Sequence, residues 1–215
     1  MKNKRFWIGL ISCMIPYVIG ILLYNQMPDT MAIHFNTQGI ADGFASKNIA
    51  LFGLPSIIVV VYLLCTWATE KDPKHENIPP IMMNLIYAIC PVISIFVYFL
   101  MINASLENGM DIFDTMSMTT LLVGVIFIVI GNYLPKCKQS YTVGIKTPWA
   151  LEDNENWNKT HRMGGFLFMF AGIVCIMGGF ISQEVFGYVL VPVLFAIIII
   201  PYVYSYMLYK NKHGK

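Results

Sequence analysis

Two short polar stretches hold most of the side chains in this 215-residue chain that could do chemistry. The first, Asn25–Asn48, carries Asp29, His34 and Asp42. Imidazole and carboxylate are ligand types for a divalent metal, yet this spacing matches no familiar ligand pattern. Loop aspartates more often accept hydrogen bonds from turn amides. A structural hydrogen-bonding role therefore ranks first for the trio, contact with a bound ligand second and a metal last. The second stretch, Gly131–Gly165, carries Lys146, Trp149, Asp153, Trp157 and His161. An acid and an imidazole beside aromatic rings would suit a membrane enzyme using the His161/Asp153 region. Equally, Lys146, Trp149, Trp157 and His161 could line a recognition surface, or the two tryptophans could be interfacial anchors.

Several chemistries are disfavoured by what is missing. The sequence has no GxxxxGK[ST], GxGxxG, HExxH or GxSxG motif. Ion-coupled transporters place ionisable residues inside their spans, whereas the interiors of the apolar runs here have no Asp, Glu, Lys or Arg, and Asn84 and scattered Ser and Thr are weak substitutes. Of the five cysteines, none falls in an outer loop, so no disulfide framework is expected. Cys137 lies between Lys136 and Lys138, a setting that predicts a somewhat lowered thiol pKa, although an unreactive juxtamembrane cysteine ranks ahead of a functional one.

The elements that position these residues are membrane spans. Hydrophobic residues make up 57% of the chain and charged ones 12%, about half the charge of an ordinary soluble domain. Mean hydropathy is +0.63. Six runs are long enough to cross a bilayer as helices, near residues 6–24, 49–69, 80–102, 115–134, 163–182 and 188–209. The first follows the basic start MKNKR, but no small-x-small cleavage site ends it, so it is expected to be a retained span. Of 14 Lys and Arg, 13 fall before span 1, between spans 2 and 3, between spans 4 and 5, or after span 6; Lys47 alone falls elsewhere. The positive-inside rule then puts both termini in the cytoplasm and the His34 stretch outside. The outer side carries Asp29, Asp42, Glu107, Asp111, Asp114 and Glu184. Avoidance of outer positive charge explains that bias; attraction of cationic molecules is the sharper alternative.

The expected fold class is an all-α integral membrane protein, a six-transmembrane-helix bundle with N- and C-termini cytoplasmic and a short outer hairpin-like loop. One membrane domain covers residues 1–215, with an outer polar loop at 25–48 and a cytoplasmic loop at 135–162 containing an amphipathic helix. Met31, Ile33 and Phe35 alternate with Ala32, His34 and Asn36, the period of a short strand. Thr37–Gly39 and Ala41–Gly43 read as turns. Thr147 before Pro148 is a helix-start signal, and Asp153 is a candidate second N-cap. Trp157, His161 and Gly164/Gly165 share one helical face that continues into span 5. Gly165, Gly172 and Gly179 recur every seven residues, as do Ser117, Gly124 and Gly131, which predicts a tight crossing of spans 4 and 5. Pro16, Pro91 and Pro192 or Pro201 should kink or locally unwind their spans.

The outer MPDTMAIHFNTQGIADGFASK and the inner GIKTPWALEDNENWNKTHRMGG together closely resemble the SdpI family of bacterial immunity proteins. The matching positions are Pro28, His34, Phe35, Asn36, Gly39, Asp42 and Lys47 outside, and Gly144, Thr147, Pro148, Trp149, Trp157, His161 and Gly165 inside. Lys146 stands where the family often has Arg, and it lacks the planar two-pronged guanidinium. The resemblance implies a multi-pass protein of a bacterial cell membrane that protects the cell from a secreted peptide toxin, without catalysis, cofactor or metal. In the best-known branch of the family the protein also senses the toxin and holds a cytoplasmic winged-helix repressor at the membrane, which makes such a repressor a candidate partner here, with no nucleic acid bound by the chain itself. Ligand-binding residues would then be Asp29, His34, Phe35, Asn36, Gly39, Asp42 and Lys47, with Met31, Ile33 and Phe44 as further apolar contacts. Partner-binding residues would be Lys146, Thr147, Pro148, Trp149, Asp153, Trp157, His161 and Arg162. A small exporter or flippase, and a membrane enzyme, remain the alternatives.

Overall fold

The computed structural model describes residues 4–36, 41–106, 115–181 and 183–213. Gly39, the Thr37–Gly39 turn, and Glu107, Asp111 and Asp114 lie outside the described residues. Among the described residues, six helical segments are long and apolar enough to cross a membrane: Lys4–Gln26, Ile49–Glu70, Pro80–Ser105, Ser117–Lys136, Asn154–Gly178 and Phe186–His213. Helix is the expected answer for such runs, because in lipid each backbone amide must find its partner within the segment.

The first span is two helices, α1 (Lys4–Cys13) and α2 (Ile15–Leu23). The break at Met14 precedes Pro16, whose ring cannot donate to the preceding turn. A hairpin follows, β1 (Thr30–Phe35) and β2 (Ala41–Ser46). The second span opens with a wide π-helical turn, Ile49–Gly53, and continues as α3 (Leu54–Glu70). Next comes α4 (Pro80–Ser105), then α5 (Thr115–Tyr133) and the short α6 (Pro148–Glu152). The last two helices are α7 (Asn154–Gly178) and α8 (Gln183–His213). Both α4 and α8 run uninterrupted through Pro91, Pro192 and Pro201. The helix that carries Trp157 and His161 continues into the fifth span, as expected: α7 begins at Asn154 and runs without a break to Gly178.

The chain forms two compact units. The first comprises residues 1–68 and 83–115. Its core holds Met27, Met31, Ala50, Leu51, Tyr98, Met101 and Ile102, with Ile19, Leu23, Tyr24 and Ile33 packed against it. The base of the hairpin is thus built into the apolar interior through Met31. In the hairpin Met31 faces Ala45, Ala32 faces Phe44 and His34 faces Gly43, with register irregularities on both sides of His34. Along β2 exposure alternates cleanly, with Asp42, Phe44 and Ser46 outward. Along β1 it does not: Met31 and Ala32 are both buried, Met31 as part of the apolar core.

The second unit comprises residues 69–82 and 116–215. Here α5 and α7 cross at three rungs seven residues apart. A Cβ on Gly124 would sit 2.6 Å from the Gly172 carbonyl oxygen, and one on Gly131 would sit 2.7 Å from that of Gly165. At the third rung the Ser117 hydroxyl donates to the Gly179 carbonyl at 3.1 Å. The tight crossing predicted from the two glycine stripes is present. Without side chains at these positions the backbones approach to dispersion contact, the main source of helix association in lipid.

Candidate functional site

Two surfaces carry the residues singled out in the sequence, and each is assembled differently. In the hairpin, His34 Nδ1 lies 2.5 Å from Asp42 Oδ1, and both side chains are exposed. Gly43, opposite His34, makes room for this pair, since a Cβ there would sit 2.7 Å from the His34 Cβ. Phe44 is 59% exposed. Asp42, Phe44 and Ser46 therefore present a carboxylate, an aromatic ring and a hydroxyl on one strand face. Such a face offers a polar anchor beside an apolar one, suited to an amphipathic segment.

Not every expected contact residue is available there. Met31 is 1% exposed and belongs to the core, so it is no docking residue. Ile33, Phe35 and Asn36 are half-buried. The Lys47 side chain is only 16% exposed. Its ammonium donates to the carbonyls of Met27 at 2.9 Å and Tyr24 at 3.4 Å, and lies 4.8 Å from the centre of the Tyr24 ring. It also pairs with Asp29 at 3.3 Å, while the Lys47 amide donates to the Asp29 carbonyl at 2.8 Å. Lys47 thus fastens the end of the hairpin to the end of the first span; its role is to position the loop.

The second surface is built from residues 137–162. Thr147 caps α6, its Oγ1 accepting from the Ala150 amide at 3.1 Å, with Pro148 in the first turn. Asp153 caps α7 through the Glu155 amide at 2.9 Å. Both helix starts read from the sequence are present. Asp153 Oδ2 also accepts from Lys212 at 2.7 Å. That hydrogen bond, followed by the one from Glu155, holds the Asp153 carboxyl below its ordinary range.

Trp157 and His161 do share a face of α7, but the face points inward. They are 1% and 0% exposed and stack with ring centres 3.9 Å apart. The indole Nε1 donates to the Cys137 carbonyl at 2.7 Å. The Ile145 amide donates to His161 Nε2 at 2.8 Å, so the ring proton resides on Nδ1, which donates to the Trp157 carbonyl at 2.8 Å. Gly144 passes directly over both rings with φ 121°; a Cβ there would collide with His161 Nε2 and lie 2.8 Å from the Trp157 ring. Trp157 is therefore neither an interfacial anchor nor a surface contact. With both nitrogens engaged and no exposure, His161 is not placed to act as a base. The partner of this helical face is the chain's own 137–147 segment, a pairing that helical periodicity does not reveal.

Thr147 is buried as well. It bonds Ser205 Oγ at 2.6 Å; Ser205 donates to Asn156 Oδ1 at 2.8 Å, and Thr160 donates to the same oxygen at 3.0 Å. Asn156 in turn donates to the Ser205 carbonyl at 2.8 Å. This closed network joins α6, α7 and α8 and leaves no polar atom of the Asn156 amide oxygen side unmet. Trp149 packs against an aromatic row on α8, with ring centres 5.2 Å from Tyr202, 5.1 Å from Tyr206 and 6.3 Å from Tyr209. Lys146, Pro148 and Arg162 are exposed.

Sequence reading missed the residue that organises this segment. Asp72 is buried, and its Oδ2 accepts from Ser140 Oγ at 2.6 Å, the Tyr141 and Thr142 amides at 2.9 Å each, and Thr142 Oγ1 at 2.6 Å. Its Oδ1 accepts from the Lys74 amide at 2.8 Å. Burial alone would raise the Asp72 carboxyl; the hydroxyls of Ser140 and Thr142 and the backbone donors outweigh it and hold the group well below the usual carboxylate range. Beside it, Lys74 Nζ donates to Gln139 Oε1 at 3.0 Å, and Gln139 Nε2 to the Ala150 carbonyl at 2.8 Å. Asp72 meets partners about 70 positions away in the chain, so no local pattern signals it. Asn156 and Thr160 did leave a trace, as polar residues i, i+4 beside Trp157 and His161.

The Cys137 thiol reverses its expected pKa shift. It is buried, and burial pushes the thiol up to about 11. Neighbouring Lys136 instead lies 4.4 Å from the centre of the Tyr133 ring.

Six membrane-crossing helices, a hairpin closing the first pair and a hydrogen-bonded polar segment before the fifth define a multi-pass membrane protein. Residues 136–205 match the model of the SdpI/YfhL protein family, and residues 11–59 match a domain of unknown function, DUF1648. Over 212 residues, 98% of this chain and 99% of the relative, the chain is 22% identical to Immunity protein SdpI of Bacillus subtilis (strain 168). An uncharacterized protein of Archaeoglobus fulgidus is 29% identical over 84 residues, 36% of this chain and 46% of that protein. No solved structure matches. The resemblance to the SdpI family is thereby shown, and with the six spans it locates the chain in the cell membrane.

Proposed function

We propose that this chain is a membrane immunity protein that binds a secreted, membrane-active peptide toxin at its hairpin. The observation that carries the proposal is the end-to-end similarity to an immunity protein, which covers both the hairpin and the 137–162 segment. The lysine and arginine distribution supports an outward hairpin and cytoplasmic ends. Asp42, Phe44 and the exposed His34 supply the contacts; Lys47 and Met31 hold the hairpin in place. On the cytoplasmic side Lys146, Pro148 and Trp149 are the surface residues against which a winged-helix repressor would dock. Thr147, Trp157 and His161 shape that surface from below. An enzyme based on His161 and Asp153 is disfavoured, because each is already committed to other partners.

The test is survival of a sensitive Gram-positive host expressing the chain and exposed to a panel of secreted membrane-active peptides, with membrane abundance measured for each variant. Asp42→Ala and Phe44→Ala are expected to lose protection at normal abundance, while Lys146→Ala and Trp149→Ala retain it. Loss of protection by the second pair alone would overturn the assignment of toxin contact to the hairpin.

A further inference from the structure

We propose that a cleft beside α7 is a binding site for an anionic phospholipid, with Arg162 holding the phosphate. The cleft has a volume of about 350 Å³ and is lined by Pro135, Asn158, Arg162, Phe166 and Met169, a size within the range of small-ligand sites. Its lining is ordered along the helix. Asn158, Arg162 and Phe166 stand at i, i+4 and i+8, one above the next on a single face. Below Phe166 the same side of α7 continues as Phe170, Ile173 and Met177, all exposed. A span presents such an apolar stripe to acyl chains. Arg162 sits at the polar end of that stripe, where the cationic side chain adjoins the apolar face.

The chemistry at this end selects an anion. A guanidinium offers two parallel donors to a phosphate, and the Asn158 amide adds a further donor beside it. None of the five lining residues is acidic. The nearby carboxylates are committed elsewhere, Glu155 to Lys159 at 2.7 Å and Asp153 to Lys212 at 2.7 Å. A zwitterionic headgroup would bring an ammonium with no carboxylate in the cleft to meet it. The opposite wall is held in place by the helix crossing, since a Cβ on Gly165 would lie 2.7 Å from the Pro135 ring. The cleft is thus formed before any lipid arrives. Phe166 and Met169 distinguish the site from one for soluble phosphate, because they give an acyl chain a surface that a free anion would leave unused.

The experiment uses the full chain, delipidated in mild detergent, with its thermal midpoint followed during titration with phosphatidylglycerol, phosphatidylcholine or glycerol 3-phosphate. Phosphatidylglycerol is expected to raise the midpoint saturably, and the other two are not. Arg162→Gln should raise the half-saturating phosphatidylglycerol concentration about fivefold, the worth of one cationic side chain against an anionic lipid. Arg162→Lys should fall between. Lys210→Gln, an exposed cation of α8 outside the cleft lining, should titrate as the parent does. Phe166→Ala tests the acyl seat and should also weaken binding. Equal responses to the two lipids, or parental titration of both Arg162→Gln and Phe166→Ala, would overturn the proposal. An equal response to glycerol 3-phosphate would replace the lipid with a soluble anion.

Discussion

Gly124 of α5 and Gly172 of α7 face each other so closely that a Cβ on either would lie 2.6 Å from the other's carbonyl oxygen. Real side-chain atoms do not tolerate that distance, and the clashing atoms are backbone, which cannot swing aside. Gly172→Ala is therefore expected to destabilise the detergent-solubilised protein by about 1–3 kcal/mol, the usual range for overpacking. Ile173→Leu, on the exposed side of the same helix, should change stability little. Equal thermal midpoints for the two variants would show that the crossing can relax.

Asp72→Asn should loosen the 137–147 segment. The carboxylate takes donors on both oxygens, four of them on Oδ2, and an amide would turn its NH2 toward other donors. A loss of about 2 kcal/mol is expected, in line with hydrogen bonds to a charged acceptor. The pH dependence has a definite sign. The folded-state pKa is depressed, so the stabilisation is fully present above the unfolded value of about 3.9 and is lost as pH falls from there toward the folded value. The stability difference between parent and Asp72→Asn should be flat from neutral pH to about pH 5 and shrink below about pH 4. A difference that already shrinks between pH 7 and 5 would point to another group.

Gly144→Ala should damage the same segment by a separate route. Its φ of 121° is strained for any L side chain, and the added carbon would strike His161 and Trp157. The backbone strain alone is worth about 1–3 kcal/mol. Increased exchange of the Ile145 amide, which now donates to His161, is the local readout. Unchanged protection there would mean the loop accommodates the methyl group.

Side-specific labelling tests the orientation. Phe44→Cys should react with an impermeant thiol reagent on intact cells, and Tyr141→Cys only after permeabilisation; both positions are exposed. Native Cys137 is a poor reporter, because it is buried with a raised thiol pKa and would stay unlabelled from either side. Labelling of Tyr141→Cys on intact cells would reverse the proposed topology.

What the sequence determined by itself is what lipid imposes: apolar runs without charge have no stable alternative to helix, and the spacing of small residues tells which faces of α5 and α7 can meet. The strand through His34, though not its alternation of exposure, and the two N-caps were also legible, since each depends on residues within a few positions. Tertiary structure alone decided which polar residues remain available. Periodicity placed Trp157 and His161 on one face but not beneath the 137–147 segment, and it gave Lys47 no reason to turn back onto the Met27 carbonyl. Asp72 could not be found locally, because its donors come from Ser140 and Thr142. Burying a carboxylate, an imidazole and an indole is tolerable only when their partners close around them, and in this chain those partners are brought together by the fold.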